Sequence, residues 1–174
     1  MALTIVATVG GATSNSFITL AEAETYMEGR GNKATWTAAS DADKNIVLVE
    51  ATREISLMAF IGIRASSTQA ISWPRDLARD PDDPNNDYFA STVVPTRVKN
   101  ASAELAFQYM KAGTTDLGAL PSTTNIKRKK VDVLETEYFS GHGSPAGMAR
   151  FPIVINQLQP LLENAGISVP LLKG

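Results

Sequence analysis

The chain has 174 residues, of which 44% are hydrophobic and 20% are charged, a balance typical of one soluble globular domain. The formal net charge of −2 gives no reason to expect that the field of the whole protein attracts nucleic acid. Cysteine is absent, which excludes both disulfides and thiolate chemistry.

The first part of the chain, residues 1–18, is predicted to be an extended N-terminal arm. Residues 3–9 are rich in β-branched side chains and are followed by two glycines, which favours a strand or an extended segment. The segment lacks the basic start of a secretory signal. No stretch approaches the roughly 20 apolar residues of a membrane span, so no contact with a membrane is expected.

The rest of the chain, residues 19–174, is predicted to form a single mainly α domain, a small bundle of three longer helices. Thr19 and Glu22 have the spacing of a capping box, which starts the first helix. Ser40 is a second capping residue, and apolar residues at steps of three and four follow it over about 41–60.

A loop, a third helix and a short β-element complete the domain. Residues 76–92 hold aspartate, proline and asparagine in a density that no regular element tolerates. The third helix starts near Pro95 and ends before Gly113. A minor β-hairpin is predicted at about 126–139, followed over 140–174 by a flexible glycine-rich segment and a last amphipathic helix.

Trp73, Pro74 and Arg75 are predicted to be a structural anchor within the linker between the second and third helices. Pro74 fixes its own backbone and favours an extended conformation for Trp73. The indole would bury roughly 200 Å² against these helices. Arg75 is then placed to donate to backbone carbonyls or to an aspartate of the loop that follows.

The one basic run of the chain consists of Lys127, Arg128, Lys129 and Lys130. Four adjacent cations can contact phosphates, which would make binding salt-dependent. The same run can instead protect the edge of a strand or contact another subunit, and no aromatic residue is interleaved with it for base stacking.

No catalytic residue, cofactor site or metal site is predicted, so the protein is not expected to be an enzyme. His142 stands between two glycines without a recognisable nucleophile. The acidic loop that starts at Asp80 lacks the glycine that a calcium-binding EF-hand needs at its sixth position, because Asn85 stands there. The glycines near the N-terminus match no phosphate-binding fingerprint.

Several motifs nevertheless resemble a known family. The segment NSFITLAEAETY (residues 15–26), the segment TQAISWPR (residues 68–75) and the helix start at VVP (residues 93–95) are similar to a family of tailed-phage and prophage proteins. These proteins are often labelled DnaT-like single-stranded-DNA-binding proteins, and their helical arrangement is similar to that of head–tail connector proteins. The resemblance covers about residues 10–165.

The resemblance implies a structural virion protein, a head–tail adaptor that assembles into a dodecameric ring at the neck between portal and tail. Its partners would be the portal protein, a tail-side neck or terminator protein and further copies of itself, with DNA only passing through the channel. The protein would reside in the host cytoplasm before assembly.

Two other functions stay open on the sequence. A DnaT-like protein would bind single-stranded DNA through Lys127, Arg128, Lys129 and Lys130 and would lose affinity as the salt concentration rises. A non-viral interaction domain is the third interpretation.

Overall fold

Five α-helices carry most of the core in the part of the chain that the structure describes. The structure is a computed structural model, and it describes residues 3–85, 87–113, 129–131, 134–136 and 147–163. The helices are α1 (Leu20–Glu28), α2 (Ala34–Ala38), α3 (Asp41–Ser56), α4 (Thr96–Ala112) and α5 (Pro152–Leu158). The predicted mainly α fold is confirmed, and α2 is a short helix that the sequence did not predict.

The starts of α1 and α3 follow the predicted capping residues. The Glu22 amide donates to the Thr19 hydroxyl at 3.2 Å, and the Thr19 amide donates to the Glu22 carboxylate at 2.8 Å. At α3, the Asp43 amide donates to the Ser40 hydroxyl at 3.2 Å. Helix α3 ends at Ser56, several residues before the predicted end. Phe60, which follows the helix, is buried in the core.

Helix α4 is the centre of the bundle, since it packs against α3 and α5 and also contacts α1 and α2. Its buried positions cover most of the helix: Val98, Ala101, Ser102, Ala103, Glu104, Leu105, Ala106, Phe107 and Tyr109. Gly113 ends α4 with a φ of 70°, which glycine adopts without steric cost. No helix of the described segments is long and apolar enough to cross a membrane.

Two small antiparallel pairs accompany the helices. Strand β1 (Ile63–Arg64) pairs with β2 (Arg75–Asp76), a pairing that the sequence did not predict. Gly62 precedes β1 with a φ of 75°, and a Cβ there would lie 2.3 Å from the Asp76 carbonyl oxygen, so only glycine fits. Strand β3 (Lys129–Val131) pairs with β4 (Leu134–Thr136), which confirms the predicted hairpin.

The N-terminal arm lies against the helices but is not extended throughout, because it turns at residues 9–13 and folds back on itself. Residues 3–18 contain neither helix nor strand. The Asn15 amide donates to the Val6 carbonyl at 2.9 Å, and the Ala70 amide donates to the Gly11 carbonyl at 3.1 Å. Phe17 is buried where the arm leads into α1, so the arm contributes to the core.

The last described segment, residues 147–163, also docks on the helices. Helix α5 is followed by a 3-10 turn at Gln159–Leu161, which contains Pro160. The Ile61 amide then donates to the Leu161 carbonyl at 2.9 Å, and the Glu163 amide donates to the Ala59 carbonyl at 2.9 Å. The flexible glycine-rich segment was predicted over 140–147, and residues 140–146 of it lie outside the described part.

Candidate nucleic-acid interface

The predicted anchor lies inside the protein. Trp73 is 0% exposed, and the peptide bond between Trp73 and Pro74 is cis. Its ring meets Phe60 edge-on at a centroid distance of 5.6 Å and Phe89 at 5.9 Å. These aromatic neighbours come from the connections on either side of the anchor, whereas the sequence had suggested the helix faces.

Arg75 is bound by backbone carbonyls rather than by the aspartates of the following loop. Its guanidinium donates to the carbonyl oxygens of Phe60 at 3.0 Å, Ile61 at 2.8 Å and Gly62 at 2.6 Å. Burial lowers the pKa of Arg75. The three residues of the anchor therefore hold the chain together and present no charge for a ligand.

Half of the cations of residues 19–113, here called the body, are paired with carboxylates. The body holds thirteen Asp or Glu residues and ten Lys or Arg residues. Its ion pairs are Arg30–Glu104 at 2.9 Å, Lys44–Glu24 at 2.7 Å, Lys44–Asp41 at 3.7 Å, Arg97–Asp82 at 2.5 Å, Lys99–Glu22 at 2.5 Å and Arg53–Glu50. A strand of DNA would therefore meet an acidic body with few available cations.

The basic run falls only in part within the described residues. Lys127 and Arg128 lie outside them, so their predicted contacts stay a prediction. Lys129 and Lys130 lie in β3, where their backbones are paired with Thr136 and Glu135 of β4. The structure thus places half of the run on an antiparallel pair of strands.

Tyr88 is an exposed aromatic residue that the sequence reading did not single out. Its side chain is 51% exposed, more than that of any other aromatic residue in the described part. Tyr88 and Arg79 form an isolated antiparallel bridge, and the guanidinium carbon of Arg79 lies 5.5 Å from the ring centroid. The sequence signal for its exposure is the pair of neighbouring aromatic residues, Tyr88 and Phe89, at the end of the acidic loop. Successive residues of an extended segment face opposite sides, so one of the two rings is expected to face the solvent.

Among the clefts between described residues are two that do not concentrate positive charge. One, of about 310 Å³, lies between α1 and α4 and contains the Lys99–Glu22 ion pair. Burial there opposes ionisation of Glu22, but the hydrogen bonds from Lys99 and Thr19 outweigh it and lower the pKa of Glu22. The other, of about 490 Å³, is mainly apolar, and Arg53 at its rim is paired with Glu50.

Metal ligands are not grouped in the described part of the chain. No cluster of three or more His, Cys, Asp or Glu side chains there could hold a metal ion. The aspartates of the acidic loop instead accept from the backbone and from Arg97, as at Asp80, whose carboxylate accepts from the Asp82 amide at 2.9 Å.

Comparison with known families assigns the chain along its whole length. Residues 1–174 match a family described as "Putative DnaT-like ssDNA binding protein". The chain belongs to this family. No curated protein and no solved structure matches it.

Family membership corrects the role drawn from the resemblance. The family label was right, but the head–tail adaptor function was wrong, because the family is described by single-stranded DNA binding. The predictions that depended on that function are wrong as well: the portal and tail partners, the ring, and DNA that only passes through a channel. The motif that contains Trp73 and Arg75 was interpreted as a sign of virion assembly. Both side chains instead stabilise the core, so the motif indicates a fold and not a role in a virion.

Proposed function

We propose that the protein binds single-stranded DNA by contacts with its phosphates, without catalysis. The observation that carries the proposal is the match of the entire chain to a family described as DnaT-like and single-stranded-DNA-binding. The basic run at 127–130 supplies the charge that such binding needs.

The charge pattern of the body supports the assignment of the phosphate contacts to this run. Most cations of the body are held by carboxylates, as in the Arg97–Asp82 pair, or by backbone carbonyls, as at Arg75, whereas Arg79 and Lys111 lie over aromatic rings. Arg64 likewise donates to the Gln69 carbonyl at 2.7 Å and to the Ile71 carbonyl at 3.1 Å. Recruiting these groups to phosphates would break contacts that stabilise the fold, whereas four adjacent cations at 127–130 can act together.

Salt dependence is the measurable consequence. Each phosphate contact on a single strand contributes a slope of about −0.7 in log K against log salt concentration, so four contacts give about −3. Between about 50 and 200 mM salt, the affinity would then fall by roughly 50-fold.

The proposal is tested by titrating a labelled oligo(dT) with the protein and following fluorescence anisotropy at several salt concentrations. The variant Lys127→Ala/Lys130→Ala should lose about half of the salt slope, because two of four contacts are removed. The matched control is Lys33→Ala/Lys111→Ala, which removes the same charge from the body. In the native protein, Lys33 donates to a backbone carbonyl and Lys111 lies over the Phe107 ring.

The control variant should keep nearly the full slope. An equal loss in both variants would show that net charge and not the run drives binding. A wild-type protein that binds no oligo(dT) at low salt would reject the function altogether.

A further inference from the structure

The structure points to Tyr88 and Arg79 as a base-stacking position, at which a nucleobase of the bound strand packs on the exposed face of the tyrosine ring. This inference rests on the proposed binding of single-stranded DNA and adds a second, uncharged contact to it. Proteins that bind single strands combine cations along the backbone with aromatic rings on which bases stack. The basic run offers no such ring within it, and Tyr88 does.

The position is held rigidly by its surroundings. The Asp80 amide donates to the Asp87 carbonyl at 2.9 Å, and the Phe89 amide donates to the Ala78 carbonyl at 2.9 Å, on either side of the Arg79–Tyr88 bridge. Phe89 faces inward and contacts the Trp73 ring edge-on. Because neighbouring residues of an extended segment face opposite sides, the anchoring of Phe89 directs Tyr88 outward.

The chemistry of the pair suits a base better than a phosphate. The Arg79 guanidinium lies against the Tyr88 ring at 5.5 Å, and half of the tyrosine side chain stays exposed. Arginine and an aromatic ring both offer flat, polarisable faces on which any of the four bases stacks. A contact of this kind tolerates different sequences, as a general single-strand binder requires.

The aspartates of the acidic loop near Tyr88 and Arg79 disfavour a phosphate at this position. Asp82 is neutralised by Arg97, whose pKa is raised by the hydrogen bond to that carboxylate. The Asp83 carboxylate, in contrast, accepts from the Asn85 amide at 2.7 Å and is not part of an ion pair among the described residues. Its charge repels phosphates, so the strand would present a base to Tyr88 and keep its backbone away.

The experiment compares full-length Tyr88→Ala, Tyr88→Phe and Asp83→Asn on two probes, oligo(dT) and an abasic oligonucleotide of the same length. Stacking contributes roughly 5- to 150-fold in Kd for each base, so Tyr88→Ala should weaken binding of oligo(dT) by at least about 5-fold. Tyr88→Phe should bind as the wild type does, because the ring is kept. Both Tyr88 variants should bind the abasic probe, which has phosphates but no bases, as the wild type does.

Asp83→Asn should tighten binding of both probes, since it removes a repulsive charge near the strand. The salt slope of Tyr88→Ala should equal that of the wild type, whereas Lys127→Ala/Lys130→Ala lowers it. Thermal unfolding of each variant checks that the fold is intact.

Three results would overturn the stacking position. Tyr88→Ala that binds oligo(dT) as tightly as the wild type would show that no base contacts the ring, while the role of the basic run would stand. An equal loss on the abasic probe would show that Tyr88 acts through the backbone or the fold. Failure of the wild type to bind either probe would reject the proposed function and the stacking position together.

Discussion

Arg75 illustrates how one charged side chain fixes several stretches of backbone. Its guanidinium binds the three successive carbonyls of residues 60–62, and it also donates to the Ser72 carbonyl at 3.4 Å. A planar group with five donors can satisfy such a set, whereas a lysine ammonium has three donors on a flexible stem. The side chain thereby joins the segment after α3 to the segment that contains Trp73.

Arg75→Ala is expected to lower the free energy of unfolding by about 3 kcal/mol, because several buried carbonyls lose a charged donor. Arg75→Lys should cost about 2 kcal/mol, since the charge remains but the fork does not. Urea denaturation measures both. Arg53→Ala is the control: its side chain is 67% exposed and its ion pair with Glu50 contributes at most about 1 kcal/mol. Wild-type stability in Arg75→Lys would contradict this account of the geometry.

Ionisation of Glu24 should make the free energy of unfolding depend on pH. Burial opposes its ionisation, but hydrogen bonds from Lys44 at 2.7 Å and Trp36 at 3.0 Å outweigh it and lower the pKa of Glu24 below 4.5. The stabilisation is therefore present above the unfolded-state pKa and is lost as the pH falls through the folded-state pKa. Unfolding curves from pH 7 to about pH 3 should show a smaller loss of stability in Glu24→Gln than in the wild type. An unchanged pH dependence would contradict the assignment.

At the residue scale, the sequence indicated which side chains anchor the fold but not what they touch. Burial of Trp73 follows from its size and from the proline beside it, whereas its neighbours Phe60 and Phe89 depend on how the two connections fold back. Tyr88 had no periodic pattern around it, so its exposure follows only from the bridge with Arg79. Ile46 is one of the apolar residues spaced at three and four over 41–60, yet it is 45% exposed.

At the element scale, a buried polar network links α1 to α4 and α5. The Glu104 carboxylate is fully buried on α4, where Arg30 lies at 2.9 Å and Gln108 donates at 2.6 Å. The Tyr26 hydroxyl donates to Glu104 at 3.4 Å and accepts from Gln157 of α5 at 3.4 Å. Burial, followed by the charge of Glu104, raises the pKa of Tyr26. The network thus connects three helices by polar contacts in addition to their apolar packing.

Glu104→Gln is expected to destabilise the protein by about 2–3 kcal/mol, because it leaves the Arg30 charge without its partner at a largely buried site. The value lies below the cost for a fully buried pair, since the Arg30 side chain is 25% exposed and keeps some water. Thermal or urea unfolding measures the change. Glu28→Gln, on the exposed side of α1, is the matched control and should change stability by less than about 0.5 kcal/mol. Equal stability of the two variants would show that the network contributes nothing.

The elements that the sequence predicted are those with local signals. The caps at Thr19 and Ser40 locate the starts of α1 and α3, and Gly113 locates the end of α4. The short helix α2 and the pairing of β1 with β2 were missed. A five-residue helix has little periodicity, and two-residue strands are defined by a partner distant in the sequence.

At the scale of the whole molecule, the described core and the proposed phosphate contacts lie in different parts of the chain. The buried side chains that the structure describes lie within residues 14–109 and 151–161, and the basic run at 127–130 lies between these ranges. The body carries the acidic excess, while the run carries the adjacent cations. The sequence alone located the run, but only the ion pairs of the body show why the phosphate contacts would fall to it.

Replacement of Lys127, Arg128, Lys129 and Lys130 together by alanine is therefore expected to change the free energy of unfolding by less than about 0.5 kcal/mol, in the range of surface substitutions. A ligand that binds only the folded state stabilises it, by about 2.7 kcal/mol at 100 times its Kd. Oligo(dT) should thus raise the unfolding temperature of the wild type and of Lys33→Ala/Lys111→Ala at low salt. It should leave the quadruple variant unshifted, because that variant has lost its phosphate contacts. A quadruple variant that unfolds at a markedly lower temperature without DNA would show that the run belongs to the folded core, and a full shift with oligo(dT) would place the binding charge elsewhere in the chain.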